Sequence, residues 1–435
     1  MYCGLCFRDN ALVSELRKMG HHVVMVPLYL PFTLDETDQS AGTPIFFGGI
    51  NVYLDQKSAF GRRLPGWLRR LLASRCLLKW VAGKAARTRP QDLGELTLSM
   101  LRGEAGNQAR ELDELIAWLK TQPPPDVICL STALLLGMVH RLKSDLRAPV
   151  VCMLQGEDVF LDSLPESHRT LCWKTLSARA AETDLFVATS RYFGDLMRER
   201  LALPAEKMRV VYNGINLAGY DEARARDPRP SSPVLGYFAR MCRDKGLDLL
   251  VEAYIILRQR DRVKNLRLQI GGGCGPADEP FVDSLRRRLG EKGLLGEVTF
   301  LPNPDRAAKL KFLRSLSIFS VPARYGEAFG LYVIEALASG VPVVLPNNGA
   351  FPELVEATGG GTLCAADDPQ ALVGALEELL LAPERARALG ERGQGAVFDK
   401  FSAAAMARAS VEVYEQGRDR NQAQPSNAEL RTQSA

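Results

Sequence analysis

Two glutamates eight residues apart, Glu327 and Glu335, sit in the run "SIFSVPARYGEAFGLYVIEALASGVPVVLP". Carboxylates accept hydrogen bonds from hydroxyl groups, and the local pattern says where each must lie. Ser317 to Val321 predicts a strand. A loop follows, a helix starts near Phe329 to Leu331 and stops at Gly340, and another strand begins at Val341. The helix is apolar nearly all round, with Glu335 as its only charge, which predicts burial. A buried carboxylate needs a partner: a core arginine or the hydroxyls of a ligand. At the helix start, Glu327 precedes the backbone N–H groups of Phe329, Gly330 and Leu331. Those donors and the helix dipole favour a phosphate. Taken singly, Glu327 reads as solvated and Glu335 as salt-bridged. Together, hydroxyl-gripping carboxylates beside an anion site describe a pocket for a nucleotide sugar.

A second stretch, "LGYFARMCRDKGLDLLVEAY", places Arg240 and Lys245 in the loop after a strand that ends near Ala239. Two cations there suit a diphosphate, with Arg binding bidentately and Lys acting as a point charge. The plain alternative is a solvated loop.

The elements that must position these groups follow a βα rhythm. "HHVVMVPLY", "DVICLS", "PVVCMLQ", "DLFVATS" and "MRVVYNGIN" read as strands of a first domain. "VLGYFAR", "LRLQIGG", "VTFLP", "SIFSVPA" and "GVPVVLP" read as strands of a second. Alternation with helices implies two doubly wound parallel sheets, each an α/β Rossmann-like domain, with a ligand in the cleft between them. The expected boundaries are 1–215 for the first domain, with a helical insertion at about 57–120, and 216–232 for a linker. The second domain is expected over 233–398, a closing helix over 399–418 and a disordered tail over 419–435.

At this point the chain resembles the retaining glycosyltransferases of family 4, which have the GT-B fold. The resemblance rests on Glu327-x7-Glu335 in "EAFGLYVIEALASGVPVV", on Arg240 and Lys245 before "GLDLLVEA", and on "NNGAFPELV" with Glu353. It implies that Arg240 and Lys245 hold the donor diphosphate as it leaves. It further implies that Glu327 contacts the transferred sugar, that Glu335 contacts the ribose, and that amides around Phe329, Gly330 and Leu331 contact the donor. Transfer with retention, no metal and no cofactor beyond the nucleotide-sugar co-substrate are also implied. The chain has no Asp-x-Asp pair of the kind that holds manganese or magnesium in metal-dependent relatives. The first domain should bind the acceptor: a glycan, lipid or small molecule. "LQGEDVF" puts Gln155, Glu157 and Asp158 at a strand end, Gln155 standing where similar members often carry a histidine. For Glu157 and Asp158, acceptor binding and helix capping are both open.

The opening "MYCGLCFRDN" occupies the place where the family has a glycine-containing loop near the donor, with Gly4 as its flexible point. No apolar run precedes it to serve as the first, central strand, so the natural chain is expected to begin about ten residues upstream. Cys3 and Cys6 then read as loop residues. A redox or zinc role lacks the surrounding fold or the further ligands.

Nine cysteines scattered through apolar contexts suit free thiols in a reducing compartment, hence a cytoplasmic location. There is no run of 18 apolar residues and no signal-peptide pattern. A formal net charge of +4 does not point to nucleic acid. Ten Lys or Arg and no acid lie between Asp55 and Asp92, interleaved with Leu, Trp67 and Trp80. Segment 57–89 reads either as a peripheral contact with an anionic membrane or as a helical insertion with a solvated basic side. "QIGGGCGPADEP" lacks the Gly-x-Gly-x-x-Gly spacing of a dehydrogenase. The leading reading is a metal-independent hexosyltransferase. A non-catalytic nucleotide-sugar or glycan binder and a nucleotide-sugar epimerase are the alternatives.

Overall fold

The computed structural model describes residues 4–28, 36–47, 90–220 and 232–423. Two parallel sheets organise them. The first joins β1 (Ile128–Leu130), β2 (Val150–Leu154), β3 (Leu185–Ala188) and β4 (Met208–Val210) in that order. β2 and β3 are buried along their whole length, as expected for strands covered on both faces.

The second sheet has six strands: β5 (Val234–Phe238), β6 (Arg267–Gly272), β7 (Val298–Pro302), β8 (Ile318–Phe319), β9 (Val343–Pro346) and β10 (Gly361–Cys364). Their order is β10-β9-β8-β5-β6-β7, with every pairing parallel. β5 therefore lies between β6 and β8. The winding direction reverses at β5/β8, and the carboxyl ends of strands at such a reversal are where open α/β sheets bind ligands. Arg240 follows β5 and Glu327 follows β8.

The chain divides into two units. One comprises the described residues of Met1–Glu15, Thr33–Thr37 and Tyr212–Met406 and contains the six-stranded sheet. The other comprises those of Leu16–Phe32, Asp38–Val211 and Ala407–Ala435. This differs from the expected boundaries because the start of the first helix packs with the later part of the chain. Phe7, Arg8 and Ala11 line one cavity with residues from Gly214 to Glu335.

Several local expectations are corrected. Residues 4–10 are not a loop: the Gly4–Lys18 helix begins at Gly4, so Gly4 is a helical residue and Cys6 lies inside a helix. "HHVVMVPLY" is not a strand where it is described. His21, His22 and Val24 are exposed, and 21–28 join no ladder among the described residues. An apolar run without a partner leaves its N–H and C=O groups unpaired and does not form a strand. β10 was not anticipated. The closing helix spans Ala403–Ala423, so 419–423 are helical. The basic segment 57–89, residues 221–231 of the linker and the tail from 424 lie outside the described residues. Of the expected insertion, helices Pro90–Arg102 and Ala109–Leu119 are described.

Candidate functional site

The loop after β5 is pressed against the loop after β6. Gly272 has φ +121°, and a Cβ there would sit 2.0 Å from the Ala239 carbonyl oxygen. Met241 N–H donates to Gly273 O at 2.8 Å. This glycine-rich turn also fixes Asp278, whose carboxylate accepts from Gly275 N–H at 3.1 Å. Asp278 in turn holds the Arg240 guanidinium: Nη2 donates to Oδ1 at 2.9 Å, and Nε lies 3.2 Å from both carboxylate oxygens. The Asp278 hydrogen bond raises the Arg240 pKa above the ordinary arginine value. The arginine side chain is 64 % exposed, so the pair orients the cation without enclosing it.

Lys245 stands deeper. Gly246, at φ +70°, follows it, and a Cβ there would lie 1.8 Å from Pro322 O. The β5 and β8 loops thus touch at backbone distance. Lys245 Nζ donates to Glu327 Oε2 at 2.5 Å and lies 4.8 Å from the Tyr325 ring centroid and 5.4 Å from that of Tyr332. Tyr332 Oη–H donates to the same Glu327 oxygen at 2.7 Å. Burial pulls the ammonium down, but the Glu327 carboxylate and Tyr325 outweigh it, and the Lys245 pKa lies above the usual lysine range. An ammonium has three N–H donors, so one bond to Glu327 leaves donors for a phosphate.

Glu327 is set from behind by a turn before β10. Gly349, at φ +61°, packs so closely that a Cβ would lie 2.3 Å from Glu327 N, and Ala350 N–H donates to Glu327 O at 2.9 Å. Gly330, at φ +96°, then caps the Leu331–Ala338 helix. Its left-handed backbone leaves the first helical N–H groups pointing out of the helix start. Phe329 is spent on packing: its ring is 6.3 Å from Tyr212 and 6.2 Å from Phe401. Only its backbone is available to a ligand. Glu353 accepts from Tyr212 Oη–H at 2.8 Å.

Glu335 does have a protein partner, a lysine and not an arginine. Lys309, from the Arg306–Arg314 helix, donates to Glu335 Oε1 at 2.8 Å, and both side chains are largely buried. They line a cavity of about 200 Å³ with Arg240, Leu331, Tyr332 and Gly272. The cavity thus joins Arg240, Leu331 and Glu335. Lys245, Glu327, Phe329, Gly330 and Gly4 are not among its lining residues.

The other unit carries Gln155, Glu157 and Asp158 at the end of β2. Glu157 accepts four hydrogen bonds: from Thr132 Oγ1–H (2.7 Å), Ala133 N–H (2.9 Å), Gln155 N–H (2.8 Å) and Gly156 N–H (3.1 Å). It ties the β1 and β2 loops together and does not cap its own helix, Glu157–Asp162, whose start has no side-chain cap. Asp158 Oδ1 and Gln155 Nε2 are buried without hydrogen bonds among the described residues. Burial pushes the Asp158 carboxyl above the usual range.

Asp278, Lys309, Tyr325 and Tyr332 were not singled out from sequence. Tyr325 and Tyr332 flank Glu327 in the chain. Among the described residues no group of three His, Cys, Asp or Glu is arranged to hold a metal, and no helix is long and apolar enough to cross a membrane.

Residues 221–396 match the family model described as glycosyl transferases group 1, and residues 86–218 match glycosyltransferase family 4. The chain is 31 % identical over 220 residues to a D-inositol 3-phosphate glycosyltransferase of Segniliparus rotundus, covering 49 % of this chain and 48 % of that one. It is 33 % identical over 221 residues to the lipopolysaccharide core biosynthesis mannosyltransferase LpsB of Rhizobium meliloti, covering 47 % and 61 %. The chain thus spans about half the length of the first of these relatives. Among solved structures, Anabaena Alr3699/HepE in complex with UDP superposes with TM-score 0.61 at 19 % identity, covering 72 % of this chain and 84 % of the other. Sucrose-phosphate synthase from Thermosynechococcus elongatus does so with TM-score 0.59 at 24 % identity, covering 71 % and 78 %. The fold they share is GT-B.

Proposed function

The chain belongs to the family 4, group 1 glycosyltransferases, and from that premise we propose that it moves a hexose from a nucleotide-sugar donor to an acceptor, with retention and without a metal. The observation that carries the reading is the pair of cations at the β5/β8 reversal. Arg240 is aimed by Asp278 and Lys245 is held by Glu327, beside the start of the Leu331–Ala338 helix.

In this reading the donor diphosphate lies against Arg240, Lys245 and the N–H groups after Gly330. The bond from the anomeric carbon to the phosphate oxygen breaks, a bond to an acceptor hydroxyl oxygen forms on the same face, and the hydroxyl proton passes to the departing phosphate oxygen. As the anomeric carbon becomes oxocarbenium-like, negative charge grows on the departing phosphate. Fixed cations and N–H dipoles meet that charge without reorganising. Glu327 accepts a hydroxyl of the transferred sugar while keeping its bond to Lys245. Glu335, held by Lys309, accepts from the ribose. The UDP complexes of Anabaena Alr3699/HepE support uridine diphosphate as the first leaving group to try. The acceptor is a glycan, lipid or small molecule.

The test is a thermal-shift panel of nucleotide sugars without added metal, on wild type, Arg240→Ala and Glu335→Ala. One donor stabilising wild type and neither variant is the expected result. A donor that stabilises all three equally places the donor elsewhere.

A further inference from the structure

One wall of the cavity carries a cation that donor binding does not use. Arg8, in the Gly4–Lys18 helix, is 2 % exposed and lines the cavity. Its Nη2 lies 3.0 Å from Asp9 Oδ1, but neither Nε nor Nη2 makes a hydrogen bond among the described residues. Burial pushes the Asp9 carboxyl up to about 6. A buried guanidinium with idle donors is costly unless an anion completes it. The other lining charges are already engaged. Glu36 Oε1 accepts from Arg306 Nη1 at 3.2 Å and Asn216 Nδ2 at 3.1 Å, Glu335 from Lys309, and Arg240 is held by Asp278. Arg8 keeps two buried donor nitrogens, Nε and Nη2, without a hydrogen bond among the described residues.

We propose that Arg8 anchors a second oxyanion subsite in this cavity, distinct from the diphosphate site at Arg240 and Lys245, and that it receives a phosphate or carboxylate carried by the acceptor. This rests on the donor reading above. The diphosphate there is already met by Arg240, Lys245 and the helix start, so Arg8 is surplus to it. An acceptor whose hydroxyl must approach the anomeric carbon would bring its own charge into the same cavity. The planar fork of Arg8 suits a two-point grip on such a group.

The test uses the full chain and inorganic phosphate as probe, titrated by calorimetry with UDP saturating. Wild type is expected to bind phosphate with UDP in place. Arg8→Gln is expected to lose about tenfold or more of that affinity, the worth of one charge-assisted bond, while UDP still binds. Should Arg8→Gln fail to fold, Arg8→Lys, which keeps the charge and loses the fork, is expected to show a smaller loss. Competition between UDP and phosphate would reduce the two subsites to one and overturn the proposal. So would no phosphate binding by wild type, or an unchanged affinity in Arg8→Gln. A second arm compares UDP-glucose with UDP-glucuronate. If Arg8→Gln weakens only the glucuronate donor and phosphate does not bind beside UDP, the anion belongs to the donor sugar and the acceptor assignment falls. Failure of UDP itself to bind removes the donor reading alone. Phosphate titrated without UDP still reports on Arg8.

Discussion

The carboxyl ends of the two sheets both carry glutamates withdrawn from solvent, Glu157 buried and Glu327 and Glu335 partly so, and they are bonded in opposite ways. Glu157, after β2, is saturated by four donors that belong to fixed loops. Glu327 and Glu335, in and after the β8 loop, are each bonded to a lysine. A carboxylate saturated by loop donors is a brace. A carboxylate on an ammonium leaves lone pairs and N–H donors on both partners unspent, and those can be offered to a ligand. The contrast is one of hydrogen-bond saturation, and it holds without reference to where either acid lies in the chain.

Four substitutions break or sharpen that contrast. Arg240→Ala should lower the transfer rate about 100-fold or more, the usual loss for one preorganised donor to a leaving group. The initial rate with the stabilising donor reads it, and a loss under about tenfold would remove Arg240 from the chemistry. Glu157→Ala should cost about 3 kcal/mol of stability, because it orphans a half-buried hydroxyl and three N–H groups. Urea denaturation measures this. A variant as stable as wild type but unable to transfer would put Glu157 among the working residues and erase the contrast. Asp278→Asn should leave stability nearly unchanged and slow transfer about tenfold by freeing the guanidinium from its aim. An equal fall in donor affinity and rate would mean that Asp278 acts on binding alone. Tyr332→Phe should have the smallest effect, about fivefold in rate, from one hydrogen bond to Glu327 worth about 1 kcal/mol. No change would assign Tyr332 to packing.

Much of this was legible in the sequence because it is local. The apolar runs of β5, β6, β7 and β9 are bounded by turn residues, and the helix bearing Glu335 is short, apolar and stopped by Gly340. What failed is non-local. "HHVVMVPLY" has the composition of a strand, but a strand needs a ladder with a neighbour, and 21–28 join none among the described residues. Residues 4–10 carry a glycine and two polar turn formers, yet Phe7, Arg8 and Ala11 pack into a cavity wall and the segment is helical. β10, "GTLC" after two glycines, resembles a turn until it is paired with β9. Lys309 is one cation among several in "DRAAKLKFLR", and only its placement against Glu335 distinguishes it. Asp278 likewise becomes visible only when the β5 and β6 loops meet.

The Gly349 turn has a consequence for anyone who would redesign the pocket. With its missing side chain filled by the Glu327 main chain, the turn serves as a mould in which the loop around Glu327 is cast. Changing sugar preference by transplanting the loop around Glu327 from another enzyme would therefore leave cast and mould mismatched. The segment before β10 has to travel with it, and a chimera that exchanges both should fold where one that exchanges the first alone does not.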